Sequence, residues 1–143
     1  MFADEASRRR LEAILHPAIR EREQQRADDL AAAGEPAILV TEAALLFETG
    51  GWQRYHRMVV VTAPDEVRRA RLLAKGISEQ DTARRMASQM EQHRKAALAD
   101  YIVDNGGELE QTRNRTRALA DRLRGDLGRL VEGESLGPAA ALG

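Results

Sequence analysis

The 143-residue sequence contains no cysteine, few aromatic residues and no long apolar run. Without cysteine the chain forms neither a disulfide nor a thiolate metal site, which is typical of the reducing cytoplasm. No segment approaches the roughly 20 consecutive apolar residues that a membrane span needs, and the charged N-terminus does not resemble a signal peptide. These absences predict a single cytoplasmic domain with a modest core and no membrane partner.

Lysine is also scarce, because only Lys75 and Lys95 among the 22 basic residues are lysines. The abundant arginine could bind phosphate through its planar guanidinium group, or it could reflect the base composition of the source genome. The arginines alternate with acidic residues and the net charge is −1, so no basic stripe for nucleic acid is visible. The few aromatic residues do not make a base-stacking platform, and we expect no nucleic-acid partner.

Apolar periodicity predicts a helical segment near each end of the chain. Residues 3–33 carry apolar side chains at helical spacing. Pro17 is expected to break this helix at His16–Pro17 and to begin a second helix, because proline removes a backbone donor. Residues 108–130 form another amphipathic pattern, and residues 131–143 have no period and are expected to be a disordered tail.

Three short apolar runs predict strands of a buried parallel sheet. They are residues 37–41, 57–63 and 101–105. The second run is followed at once by Pro64 and a helical pattern that ends at Gly76. A strand followed directly by a helix is the repeating unit of parallel α/β proteins, so the fold class indicated is α/β. Residues 78–98 are predicted to be helical and so polar that they project from the body.

Four segments resemble dephospho-coenzyme A kinases in their order and spacing. They are FADEASRRRLEAILHPAIR (2–20), AALLFETG (43–50), RRMASQ (84–89) and ALADYIVDNGG (97–107). The resemblance implies a P-loop fold of the nucleoside-monophosphate-kinase type, with a parallel sheet flanked by helices and a helical lid, here residues 76–98. It also implies transfer of the γ-phosphate of ATP to the ribose 3′-hydroxyl of dephospho-coenzyme A with Mg²⁺, the last step of coenzyme A synthesis.

The family's phosphate-binding loop, G-x-x-x-x-G-K-[ST], does not occur in the 143 residues. We therefore expect residues 1–130 to form a truncated kinase-like domain, a partial P-loop fold whose sheet lacks an interior strand. Such a chain is expected to be inactive alone and marginally stable, because the neighbouring backbone groups and apolar faces lose their partners. The full-length family member is expected to be a monomer that takes only small-molecule substrates.

The alternative is a non-catalytic remnant that binds coenzyme A or depends on a partner chain for the missing loop. In-frame translation of the DNA upstream of Met1 discriminates between the two hypotheses. A strand followed by the phosphate-binding loop favours the kinase, and a stop codon favours the remnant.

The resemblance implies a metal role for the acid that follows the first predicted strand. Glu42 corresponds to an acid that holds Mg²⁺ through water, where charge neutralisation assists phosphoryl transfer. The family usually has a shorter aspartate at this position and a proline where this chain has Ala44. Glu42 could instead be a helix N-cap or a surface acid.

The same resemblance implies contacts with the acceptor substrate for six residues. They are His16, Leu45, Leu46, Phe47, Glu48 and Gln89. Other interpretations stay open, since His16 could bond within its own turn, the apolar side chains could be core, and Glu48 could cap a helix.

Basic residues of the lid are implied to bind the phosphates of ATP. Arg85 and Lys95 are expected to neutralise the transferring phosphoryl group. Arg84 is expected to contact the nucleotide together with Asn105 and Gly106, which follow the third predicted strand. Arginines also occur on solvated helix faces, and Asn-Gly is a common turn sequence.

Overall fold

The computed structural model describes residues 5–139 and divides the chain into two compact units, Met1–Val40 and Thr41–Gly143. The described residues of the first unit form one helix, α1 (Glu5–Ala32), after which Gly34 adopts a φ of 75°. Pro17 lies inside this helix, so the predicted break is wrong. Proline removes a single backbone hydrogen bond, whereas the alanine, arginine, glutamate and glutamine residues around it sustain the other turns of a 28-residue helix.

The predicted strand over residues 37–41 is also wrong, because this stretch has no regular secondary structure. Val40 is 76% exposed. A strand forms only where a neighbouring strand takes its backbone hydrogen bonds, and the sheet of the described residues contains only two strands, Val59–Thr62 and Tyr101–Asp104. The apolar composition of residues 37–41 predicted a buried strand, but the described residues provide no neighbouring strand that pairs with it.

The second unit alternates strands and helices and confirms the α/β class, with a short parallel sheet flanked by helices. In chain order its elements are a 3-10 helix (Gly51–Arg54), β1 (Val59–Thr62), α2 (Asp65–Ala74), α3 (Glu79–Ala87), α4 (Gln92–Ala97), β2 (Tyr101–Asp104) and α5 (Leu109–Val131). Residues 76–98, the predicted lid and called the lid below, contain two helices rather than the predicted single one. Ser78 caps α3 by accepting a hydrogen bond from the Asp81 N–H. The Met90 N–H donates to Glu48 instead of a helical carbonyl, which separates α3 from α4.

Strands β1 and β2 pair in parallel, with Val59 opposite Tyr101 and Thr62 opposite Asp104. Tyr101 and Val103 alternate with exposed residues along β2 and form a buried cluster with Leu119 of α5. The α5 helix thus covers one face of β2. On the other face Val60 is buried, whereas Ile102 opposite it is 43% exposed. Burial of the α5 cluster fixes the register, because a slip of one residue would expose it.

A network of charged hydrogen bonds joins the amino ends of both strands to α5. Arg57 donates through Nε and Nη2 to the two carboxylate oxygens of Asp126, at 2.7 and 3.1 Å, and through Nη1 to Asp100 at 3.0 Å. The other Asp100 oxygen accepts the Met58 N–H, and the Tyr101 hydroxyl donates to Asp126. The Arg57 and Asp126 side chains are only 9% and 11% exposed, so the network stands in a weakly screened environment.

The same network perturbs the protonation of its members. The hydrogen bond from Arg57 lowers the pKa of Asp126 despite an opposing contribution from burial, and the Tyr101 hydroxyl lowers it further. Burial, and then the hydrogen bond to Asp126, raises the pKa of Tyr101. Asp126 is therefore a carboxylate at neutral pH and is the central acceptor of the network.

The residues after α5 also contact this network. Arg57 Nη1 donates to the Gly137 carbonyl at 2.9 Å, and Ala139 packs against the buried cluster. Residues 132–139 contain no helix or strand. The disordered tail remains a prediction, and residues 140–143 lie outside the described part of the chain.

Replacement of Asp126 by Asn is expected to lower the free energy of unfolding of the second unit by about 2 kcal/mol, because the buried Arg57 loses its two-pronged carboxylate partner and keeps only Asp100 as an acidic partner. Urea titration followed by the fluorescence of Trp52, the single tryptophan, measures the change. Because the pKa of Asp126 is lowered by folding, its stabilisation is complete above its ordinary value of 3.8 and is lost as the pH falls through the lower folded value.

Asp121→Asn is the matched control, since Asp121 lies on the same helix in an exposed pair with Arg124, and a change below about 0.5 kcal/mol is expected. Equal effects of Asp126→Asn and Asp121→Asn would contradict this account of the core.

Candidate functional site

Parallel pairing brings the carboxyl ends of β1 and β2 to one edge of the sheet, where α/β proteins bind ligands. The Asn105 N–H donates to the Thr62 carbonyl at 2.7 Å, and the Gly106 N–H donates to Asp104 Oδ1 at 2.8 Å. A Cβ at Gly106 would lie 2.6 Å from the Pro64 ring, so only glycine fits this close approach. The predicted nucleotide-contact residues Asn105 and Gly106 are therefore held at the strand ends beside the start of α2.

Side chains from α2 and α5 hold this turn from both sides. Arg71 Nη1 donates to the Asn105 carbonyl at 2.7 Å, and Thr112 Oγ1 donates to Asn105 Oδ1 at 3.1 Å. Arg115 Nη1 donates to the Asp104 carbonyl and pairs with its carboxylate. The Asn105 NH₂ group has no partner among residues 5–139 and can donate to a ligand.

The lid is fixed to the segment after Thr41 by one ion pair. Lys95 Nζ donates to Glu48 Oε1 at 2.8 Å and to the Ala44 carbonyl at 2.9 Å, and the Met90 N–H donates to the same Glu48 oxygen at 2.7 Å. The Lys95 and Glu48 side chains are 13% and 21% exposed. Burial acts to raise the pKa of Glu48, but the hydrogen bonds from Lys95 and Met90 outweigh it, and the net pKa is lowered. Glu48 therefore holds both Lys95 and the turn that precedes α4.

Local turns present Glu48 to the lid. Thr49 bonds back to the Leu45 carbonyl through its N–H and its hydroxyl, and Gly50 follows with a φ of 69°. Gly50 is also the N-cap of the 3-10 helix, so Glu48 does not cap it. The Phe47 ring lies 6.2 Å from that of Trp52, which favours a packing role for Phe47.

A cavity of about 280 Å³ lies between α2, the lid and the segment that contains Leu45. It is lined by Ala44, Leu45, Arg68, Leu72, Arg85, Met86, Ser88 and Gln89. Three residues predicted from the sequence, Leu45, Arg85 and Gln89, thus share one cavity, whereas the predicted residues Leu46 and Phe47 do not line it. Arg68 was missed, although its helical spacing from Leu72 places both on one face of α2.

The predicted lid cations differ in their partners. Lys95 is paired with Glu48, and Arg84 lies 3.7 Å from Asp81 with 57% of its side chain exposed. Arg85 makes no hydrogen bond or ion pair through its side chain with any described residue. Of these three cations, Arg85 is therefore the one that is open to an anionic ligand.

Two predicted residues, His16 and Glu42, are not among those that line the cavity. His16 is a half-buried residue of α1 in the first unit, and Glu42 is an exposed residue of the second unit. Within residues 5–139 there is no group of three or more metal-ligating side chains. A lone exposed carboxylate still suits Mg²⁺, which keeps several waters and takes one or two carboxylates together with substrate phosphates. No helix in the described part of the chain is long and apolar enough to cross a membrane.

Comparison with known proteins gives one consistent family. A family model described as dephospho-CoA kinase matches residues 1–111. The dephospho-CoA kinase of Mesorhizobium japonicum is 43% identical over 129 residues, which cover 90% of this chain and 65% of that relative. Those of Syntrophotalea carbinolica and Aquifex aeolicus are 43% and 35% identical, over 86% and 88% of this chain and 58% and 63% of their own lengths.

The chain thus spans about three fifths of the length of these relatives. The matched region contains the strand-end turn, the lid and the cavity described above. The resemblance inferred from the sequence is confirmed, and the chain belongs to the dephospho-CoA kinase family.

Proposed function

We propose that this chain belongs to an enzyme that transfers the γ-phosphate of ATP to the ribose 3′-hydroxyl of dephospho-coenzyme A. The observation that carries the proposal is the unpaired Arg85 in the cavity, next to a lid that Glu48 holds in place. Phosphoryl transfer places charge on the equatorial oxygens of the moving group, and a preorganised arginine stabilises that charge. Arg85 has the charge and the accessibility for this catalytic role.

Lys95 fits a different role from the catalytic one implied by the resemblance. Its ammonium group is committed to Glu48 and to the Ala44 carbonyl, so reaching a phosphoryl group would break both contacts. We assign Lys95 and Glu48 as positioning residues that fix the lid. Leu45 and Gln89 then form the cavity wall against which the acceptor binds.

The nucleotide is proposed to bind along the strand-end turn. The Asn105 NH₂ group is open to an acceptor atom of the base, and the weak Arg84–Asp81 pair leaves Arg84 able to turn to a phosphate. When bound, Mg²⁺ neutralises the phosphates of ATP. Glu42 would hold the ion through water.

The 143-residue chain is expected to show no turnover with ATP, Mg²⁺ and dephospho-coenzyme A in a coupled assay. The reason is that it lacks the glycine-rich loop whose amides bind the phosphates. Fusion to the segment that precedes the matched region in the Mesorhizobium relative is expected to produce turnover. In that fusion, Arg85→Ala is expected to lower kcat by about a hundredfold or more.

Robust turnover by the 143-residue chain would contradict the expected need for the loop. A folded fusion without turnover, or one in which Arg85→Ala leaves kcat unchanged, would contradict the proposed function. A fusion that binds dephospho-coenzyme A without turning it over would favour the alternative of a non-catalytic, coenzyme-A-binding chain.

Combining two substitutions separates a positioning role for Lys95 from a catalytic one. In the fusion, Lys95→Met is expected to lower kcat/KM about tenfold, because Glu48 loses a charged hydrogen bond. Glu48→Gln alone is expected to cause a smaller loss. The Glu48→Gln, Lys95→Met double variant is expected to be about as active as Lys95→Met, since both changes remove the same ion pair.

The control is Arg94→Met, which removes an adjacent exposed cation paired only with Glu91, and it is expected to change kcat/KM less than twofold. If Lys95 contacted the phosphoryl group, its contribution would not depend on Glu48 and the two losses would add. Additive losses in the double variant would therefore restore the catalytic assignment.

A further inference from the structure

The cavity contains a second guanidinium group that the proposed function does not use. Arg85 enters the lining from the lid helix α3, and Arg68 enters it from α2. None of the lining residues is acidic. The cavity wall therefore combines two positive charges from different helices with no negative charge of its own.

Arg68 has a partner, but a weak one. Its Nη1 pairs with Asp65 Oδ1 at 2.9 Å, one turn earlier on the same helix, and the Asp65 side chain is 74% exposed. Exposed pairs of this kind contribute little stability, because solvent screens them. Arginine has five N–H donors, and this pair occupies one of them, so Arg68 keeps the capacity for a bidentate contact with an oxyanion.

The rest of the lining leaves both arginines accessible. Leu45, Leu72 and Met86 add apolar groups to the wall, and Ser88 and Gln89 add polar groups. Arg85 is exposed and Arg68 is half-buried, so an anion can reach both guanidinium groups from solvent.

The cavity is open to solvent, so its volume indicates which part of a ligand it can cover. Its volume of about 280 Å³ lies just below the roughly 300–1,000 Å³ of pockets that enclose whole organic ligands. A phosphoryl or diphosphate group fits these limits, whereas a complete nucleotide or coenzyme A would extend beyond them. The chemistry of the lining and the volume agree on a small, multiply charged oxyanion.

We propose that Arg68 and Arg85 form a two-arginine site for a phosphoryl or diphosphate group of a substrate. The inference rests on the proposed function for the identity of the substrate, but not for the binding of the anion. Because the two arginines belong to α2 and α3, the bound group joins the lid to the helix that follows β1. Arg68 is then a specificity residue that acts on a bound phosphate together with Arg85.

Isothermal titration of the 143-residue chain with inorganic pyrophosphate tests the site. Arg68→Ala and Arg85→Ala are each expected to weaken binding about tenfold, the effect of losing a charged hydrogen-bond donor. The matched control is Arg69→Ala, which removes an adjacent α2 arginine that pairs with Glu79 and does not line the cavity. This control is expected to change the affinity less than twofold.

Arg68→Gln keeps the length and polarity of the side chain and serves as the second variant if Arg68→Ala disturbs folding, as judged by Trp52 fluorescence. Titrations with ATP and with dephospho-coenzyme A identify the source of the phosphate. Substitution of Arg68 should weaken binding of the substrate whose phosphates occupy the cavity. Undetectable pyrophosphate binding by the unmodified chain, or equal affinities of the Arg68 and Arg69 variants for all three ligands, would overturn the proposal.

The outcome separates this site from the proposed function. Arginine-dependent pyrophosphate binding in a chain whose fusion gives no turnover would support the anion site and reject the kinase assignment. Turnover by the fusion with pyrophosphate affinity unaffected by Arg68→Gln would leave the kinase assignment intact and reject the anion site.

Discussion

The ion pair between Glu48 and Lys95 determines how the candidate site is arranged. It joins a segment that has no regular secondary structure to the second helix of the lid, and the same Glu48 oxygen takes the Met90 N–H out of the helical ladder. The lid is therefore two helices with a fixed turn between them. Because Lys95 is committed to this contact, Arg85 becomes the lid cation that faces the cavity without a partner.

The two ends of the parallel strands show contrasting electrostatics. At the amino ends, Arg57 is surrounded by acceptors from Asp100, Asp126 and Gly137, so its donors are used within the protein. At the carboxyl ends and in the cavity, Asn105 and Arg85 retain donors that no described residue accepts. The fully hydrogen-bonded Arg57 network stabilises the fold at the amino ends of the strands. The unpaired donors of Asn105 and Arg85 are available to a ligand.

Local patterns predicted the elements whose stability is mainly local. The Gly76 stop, α2 and α5 follow from local spacing, and β1 and β2 follow from dense β-branched or apolar runs. The errors lie where distant contacts decide the outcome. Residues 37–41 lack a strand partner, and the 78–98 helix is divided by a glutamate 42 positions away. Arg57 and Arg68 were missed because their roles depend on residues from other elements, as in the 69-residue separation of Arg57 from Asp126.

The most direct test of the central ion pair is the titration of Glu48 in the 143-residue chain, followed by the NMR signal of its side-chain ¹³C carboxyl group. The account predicts a pKa below the ordinary value of 4.5, which rises when Lys95 is replaced by methionine because the carboxylate loses its main partner. A pKa at or above 4.5 in the unmodified chain, unchanged by Lys95→Met, would show that Glu48 does not hold the lid.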